Sequence, residues 1–235
     1  MRKFIFCDLH IGHKDAKCDV IAEAIKYVRS QAEEGDEVLG LGDWFHITEE
    51  GVEKCRGHDV TEELIRLAGD IPTRLIPGNH DYELESKYSE LFKPIEIVKP
   101  FEENGISYHH GHDFDPAWKL FPTWFHRLWG WLTRKRTPGV LKGEAPTDTY
   151  LMACHLVHSK AVLSLLDATG NSKDHRGIVL GHTHLPLQQE CPEMPFLLNG
   201  GDMRDSLTFI VQDNYGFHLM HWNEGQWQEM SSLKL

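Results

Sequence analysis

Short apolar runs and helical stripes alternate along the first third of the chain. Phe4 to Cys7 is an apolar run that leads into Asp8-Leu9-His10, the pattern of a buried strand feeding a loop. Between 16 and 34, Val20, Ile21, Ala24, Ile25 and Val28 recur at helical spacing, and Gly35 supplies a stop. Val38 to Leu41 predicts a second strand, running into Gly42-Asp43. A helix is expected near 60 to 69, with Thr61 as its cap and Leu64, Ile65 and Ala68 turned inward. Arg74-Leu75-Ile76 predicts a third strand, ending in Pro77-Gly78-Asn79-His80-Asp81.

The second half reads as richer in strands: Ile106 to His109, Ile178 to Leu180, Phe196 to Leu198, Leu207 to Val211 and Phe217 to Trp222. A helical insert or cap at about 114–168 interrupts them, with a Pro/Gly/Lys-rich loop from 136 to 148. The alternation is that of a layered α/β fold, read as one domain over 1–235. The chemistry-bearing residues follow the C-terminal ends of strands, where open α/β sheets place ligands.

Composition narrows the function. A formal charge of -12 repels long polyanions, which argues against a general nucleic-acid binder. Five cysteines without Cys-x-x-Cys spacing read as free thiols in a reducing compartment. The apolar run at the N-terminus is too short for a signal peptide or a membrane span, so the expected location is cytoplasmic.

Histidine is abundant, at 16 residues. Asp8, His10, Asp43, Asn79, His110, His182 and His184 all fall at predicted strand ends. Carboxylate, imidazole and amide oxygen suit Mn, Fe, Zn or Ni rather than the all-oxygen shell of Ca. With one carboxylate shared, this set is enough for two divalent cations, the clamp used for in-line phosphoryl displacement. Mn is the expected metal. His46, His58, His126, His175, His218 and His221 are read as structural.

The segments Asp8-Leu9-His10-Ile11-Gly12-His13, Gly42-Asp43, Gly78-Asn79-His80-Asp81, His110-Gly111-His112 and Gly181-His182-Thr183-His184 together resemble the calcineurin-like metallophosphoesterase family. The resemblance implies a four-layer α/β/β/α sandwich of two mixed sheets. It implies a metal-dependent phosphoesterase, phosphatase or phosphodiesterase, acting through a metal-bridging hydroxide. Asp8, His10, Asp43 and His184 would hold one metal; Asp43, Asn79, His110 and His182 would hold the other. His109 and His112 flank His110 and offer the same donor. Asn79 would help stabilise developing charge, His80 would be the general acid, and Asp81 would orient it.

Within the family, the Gly-Asp-x-x-Asp-Arg segment of protein Ser/Thr phosphatases is replaced by Gly42-Asp43-Trp44-Phe45-His46-Ile47. A closer resemblance is to the UDP-2,3-diacylglucosamine diphosphatase-like branch. It is carried by His110-Gly111-His112-Asp113-Phe114-Asp115 and Asn199-Gly200-Gly201-Asp202, although that branch tends to carry Arg where this chain has His80. It implies a pyrophosphate substrate; a nucleotide or nucleic-acid phosphodiesterase and a non-catalytic scaffold are the alternatives.

His13, His112, Arg127, His155 and His158 are the candidate substrate contacts. The insert spaces Trp118, Phe121, Phe125, Leu128, Trp129 and Leu132 helically, with Lys119, Arg127 and Arg134-Lys135-Arg136 interleaved. That face suits an acyl chain or peripheral membrane contact, a nucleobase, or packing on the sandwich or on a homodimer mate.

Overall fold

The computed structural model describes residues 1–116, 118, 148–169, 175–191 and 194–235. Two mixed sheets lie face to face. The first contains β1 (Lys3–Phe6), β2 (Glu37–Leu41), β3 (Thr73–Ile76), β4 (Glu96–Ile97), β10 (Thr208–Gln212), β11 (Gly216–Asn223) and β12 (Gln226–Lys234). Their order is β12-β11-β10-β1-β2-β3-β4. β1 to β4 run parallel, whereas β10 to β12 return antiparallel. The second sheet has the order β5-β6-β7-β9-β8, from β5 (Phe101–Glu103), β6 (Ile106–Tyr108), β7 (Gly177–Leu180), β8 (Leu187–Cys191) and β9 (Met194–Asn199). In it β6, β7 and β9 are parallel.

Strand alternation builds the layers. Phe4 and Phe6 of β1 pack with Val20, Ile21, Ile25 and Val28 of α1 (Cys18–Gln31) and with Leu64 and Leu67 of α4 (Asp59–Asp70). Ile5 and Cys7 face the other way, into a seam with Leu39, Leu41, Tyr108, Val179 and Leu198 between the sheets. Ile178, Leu180 and Leu197 emerge on the far side and pack on Ala161 and Leu165 of α5 (Asp148–Thr169). Strands covered on both faces read as continuous apolar runs, and each fully buried Leu, Ile or Phe contributes about 1.5–3 kcal/mol of transfer free energy.

At the N-terminal edge of the strands an ionic cluster ties the sheets together. Lys3 Nζ of β1 lies 2.5 Å from Glu37 of β2 and 3.0 Å from Glu103 of β5. Arg74 joins through Glu37 at 2.8 Å.

The expected helix at 60–69 is present, but its cap is not Thr61. His58 precedes it and its ring accepts from the Val60 N–H, while Thr61 is fully buried and donates to the Cys55 carbonyl. Two short helices, α2 (Ile47–Glu50) and α3 (Val52–Arg56), occupy the stretch before it. Leu207 falls outside β10 because its φ of +51° breaks the strand geometry. Within the insert, residues 148–169 are helical; Arg127 and most of the aromatic and basic stripe lie outside the described residues. Among the described residues no helix is long and apolar enough to cross a membrane.

Candidate metal centre

The C-terminal ends of five parallel-paired strands converge on one place. Asp8 and His10 follow β1, Asp43 follows β2, and Asn79 and His80 follow β3. From the opposite sheet, His110 follows β6, and His182 and His184 follow β7. The loops after β1 and β2 are laced together by Asp8 N–H to the Gly42 carbonyl (3.1 Å), His10 N–H to Asp43 (2.9 Å) and Ile11 N–H to Trp44 (2.9 Å). Asp81 ties the next loop to them. Its carboxylate accepts from the N–H groups of Gly78 (2.6 Å), Phe45 (3.2 Å) and Asp43 (3.3 Å).

Five of these residues have left-handed backbone: Asp8 (φ 53°), His10 (50°), Asp43 (53°), His182 (67°) and His184 (55°). Asp and His tolerate this region better than most side chains, yet it is sparsely populated and costs energy. The turns aim side chains from neighbouring positions into the same small volume.

Of the four donor groups among the described residues, two contain Asp8. Asp8, His10 and His184 place one donor each within 4.8 Å of one another, and so do Asp8, Asp43 and His110. In the first group His10 Nε2 and His184 Nε2 are 3.2 Å apart, with Asp8 Oδ1 at 3.8 and 3.4 Å. In the second, His110 Nε2 lies 3.3 Å from Asp43 Oδ2 and 3.2 Å from Asn79 Oδ1. Asp8 belongs to both groups, a position expected for Asp43. The His182 ring lies edge-on to His110, 5.2 Å between centroids.

Several features suit cations. Asp8 Oδ1 is buried and has no hydrogen-bond partner. The other nitrogen of each imidazole is already held: His110 Nδ1 by the Leu41 carbonyl (2.7 Å), His184 Nδ1 by Asp202 (2.7 Å), His182 Nε2 by Asp115 (3.0 Å), and His10 Nδ1 by His46 Nδ1 (3.1 Å). Such outer partners fix tautomer and ring orientation in metal-ligating histidines. Gly78 and Gly181 sit directly against the carboxylates: a Cβ would come within 2.2 Å of Asp43 Oδ1 at Gly78, and 2.5 Å of Asp8 Oδ2 at Gly181.

The charges are strongly coupled. Burial favours neutral His110, but Asp43 and Asp8 outweigh it and raise its pKa to about 10. Burial raises Asp8 to about 6, opposed by His184 and His110. Burial also raises Asp43, but His110 and His80 hold it well below the usual carboxylate range. His80 is likewise disfavoured as a cation by burial, yet Asp43 and Glu49 raise it to about 9.

His80 Nε2 is 3.9 Å from Asp43 Oδ2, at the edge of the centre. Its Nδ1 donates to Glu49 Oε2 at 2.9 Å. The carboxylate against the His80 ring is thus Glu49, while the Asp81 oxygens, expected to orient His80, accept from the loop amides. His46, read as structural, is buried between His10 and Glu49 and stacks on His80 at 4.4 Å between centroids. Burial, then the neighbouring His80, lowers it to about 2. Glu49 carried no motif; the His110–Asp115 and Asn199–Asp202 stretches were the visible signals for Asp115 and Asp202.

The substrate-contact candidates separate. His13 lies edge-on to His46, 4.8 Å between centroids. His112 lies beside His110 and Trp118, at 5.3 and 5.8 Å. His155 and His158 instead line a cavity of about 320 Å³ with Leu163, Gln189 and Met194. His158 reaches back towards the centre through Thr183 Oγ1, at 3.0 Å, and Asn199 Nδ2, at 3.4 Å.

Histidine and carboxylate donors at the facing edges of two mixed sheets define a metal-dependent hydrolase. The calcineurin-like phosphoesterase family matches residues 1–186, and the chain belongs to that family. Its fold is similar to that of YfcE, a phosphoesterase from E. coli, over 100% of this chain and 99% of that one, with 16% identity and a TM-score of 0.54. A dimetal phosphatase from Danio rerio shows a lower likeness, at 12% identity, 99% and 96% coverage and a TM-score of 0.46. No curated protein matches the chain.

Proposed function

We propose that the chain hydrolyses a phosphate ester at this centre, with His80 as the general acid and Glu49 as the residue that positions it. The observation that carries the reading is the pair of donor groups sharing Asp8, with the His80 imidazole at their edge. Two divalent cations, Mn first among the candidates, would supply charge neutralisation and a water acidic enough to attack at neutral pH. Asp8, His10 and His184 would hold one, and Asp43, Asn79, His110 and His182 the other, with an aspartate between them. His80, kept cationic by Asp43 and Glu49, delivers its Nε2 proton to the leaving oxygen. The Asn79 amide stabilises the charge that develops on the phosphoryl group.

A pyrophosphate of the UDP-2,3-diacylglucosamine type is the second reading. What favours it is the stretch His110 to Asp115, whose last carboxylate holds His182 at 3.0 Å. His80 stands against it, since that branch tends to carry Arg there.

The test is hydrolysis of p-nitrophenyl phosphate, bis-p-nitrophenyl phosphate and a UDP-sugar by protein stripped with chelator and reloaded with Mn. Metal-dependent turnover is expected, and the preferred ester separates the readings. Absence of turnover on all three, with two cations bound per chain, rejects the hydrolase reading in favour of a scaffold.

A further inference from the structure

Among the described residues Arg204, at the rim of the centre, has no ionic partner. It lies in the loop between Asp202 and β10, which is rigidly built. Asp202 Oδ1 accepts from the N–H groups of Ser206 (2.7 Å) and Asp205 (3.1 Å) and from the Ser206 hydroxyl (2.8 Å). Met203 N–H reaches the Asp8 carbonyl at 3.3 Å, so the residue just before Arg204 is bound to the first metal-ligand loop. The other carboxylate oxygen of Asp202 holds His184 at 2.7 Å. One short segment thus fixes a ligand imidazole and presents a guanidinium beside it.

The Arg204 Nε is shielded from solvent and has no hydrogen-bond partner. Among the described residues no carboxylate forms an ion pair with Arg204, whereas Arg2, Arg29, Arg56 and Arg74 are each paired. Asp205 feels its charge and Asp15 lies in the same neighbourhood, but Asp15 approaches His13, at 3.8 Å. Its place is set by the loop: Arg204 comes two residues after Asp202, which holds His184 at 2.7 Å, and one after Met203, which is bonded to Asp8.

A buried guanidinium N–H with no acceptor is costly unless one arrives to meet it. A planar fork of donors matches the oxygens of a phosphoryl group. We propose that Arg204 grips the peripheral oxygens of the substrate phosphoryl group on the His10–His184 side of the centre, and that it favours a phosphate monoester dianion over a diester. A monoester dianion carries three peripheral oxygens and two charges; a diester has two such oxygens and one charge, so it gains less from a third cationic contact. This rests on the phosphoesterase reading and names the substrate class of that same site.

The experiment is calorimetric titration of inorganic phosphate into Mn-loaded wild-type, R204K and R204A proteins, with metal content measured on each. The expected result is a Kd for phosphate roughly tenfold to a hundredfold higher in R204A, the worth of a charge-assisted hydrogen bond or two. R204K should fall between, with metal stoichiometry unchanged in both. R204A should also lose more kcat/KM, through KM, on p-nitrophenyl phosphate than on bis-p-nitrophenyl phosphate. Phosphate affinity within twofold of wild type in R204A overturns the proposal, as does equal loss on the two esters or no phosphate binding by the wild type. If R204A does not fold, R204K and R204Q are judged by the same criteria. Phosphate binding needs no turnover, so a failure of the hydrolase reading shows separately, as absence of ester cleavage by the wild type.

Discussion

His80 and Glu49 share a 2.9 Å hydrogen bond, and the same Glu49 oxygen lies 3.2 Å from His46 Nε2. One carboxylate on the first helical turn after Asp43 therefore holds both His80 and the imidazole behind His10. Glu49→Gln should lower turnover roughly tenfold to a hundredfold, part of the about 10²–10⁴ that a positioned acid supplies. It should also move the alkaline limb of the kcat profile to lower pH, because removing an anion lowers the pKa of the His80 imidazolium. A pH profile superimposable on that of the wild type would falsify the positioning role.

His80→Ala should leave two cations per chain and reduce turnover by about 10²–10⁴ on alkyl phosphate esters. The loss should be far smaller on nitrophenyl esters, whose leaving group needs little help from an acid. Steady-state kinetics on both substrates check this; an equal loss on each removes His80 from the protonation step.

Asp43 lies between His110 Nε2 (3.3 Å) and His80 Nε2 (3.9 Å) and accepts from the His80 N–H at 2.8 Å. Asp43→Asn should reduce bound metal below two per chain and abolish turnover. Elemental analysis after desalting is the readout, and full occupancy with normal activity rules out Asp43 as a ligand.

Cation uptake should release protons. His110 has its pKa raised to about 10, so at neutral pH a proton sits on the imidazole whose Nε2 a cation requires. A cation must displace it, and affinity should fall as pH falls. Titration of Mn in two buffers of different ionisation enthalpy should give about one proton released per chain or more. A heat independent of buffer contradicts this.

Gly78→Ala should damage the centre without removing a ligand. The new methyl would lie 2.2 Å from Asp43 Oδ1 and 2.7 Å from the Asp43 backbone nitrogen. Overpacking of this kind costs about 1–3 kcal/mol, visible as a lower Tm, and Mn affinity should fall with it. Wild-type values for both mean that the loop relaxes freely.

The strands that carry ligands were legible because each is an apolar run that stops abruptly at Asp, Asn or His. β1, β2, β3, β6 and β7 are buried on both faces, so hydrophobicity marks them without a periodic pattern. β12 was not legible, because only Leu233 in it is buried. β5, three residues long and without a buried side chain, offered still less. The partners of the centre were less legible. Glu49 sits on the short helix α2 outside any motif, and although Asp115 and Asp202 end motif stretches, only folding brings the three carboxylates against His80, His182 and His184. Asp81 and Thr61 show the converse: each belongs to a pattern visible in sequence, but its hydrogen-bonding capacity is consumed by backbone groups of neighbouring loops.

The ionic cluster of Lys3, Glu37, Arg74 and Glu103 gives the sandwich a fixed spine along one edge. The opposite edge is where Asp8 and Asp43 of one sheet meet His110, His182 and His184 of the other. The molecule is thus built like a book bound at its spine, whose clasp is inorganic. Chelators should therefore act as denaturants of moderate strength, and the melting temperature should climb with the logarithm of free cation once its concentration passes Kd.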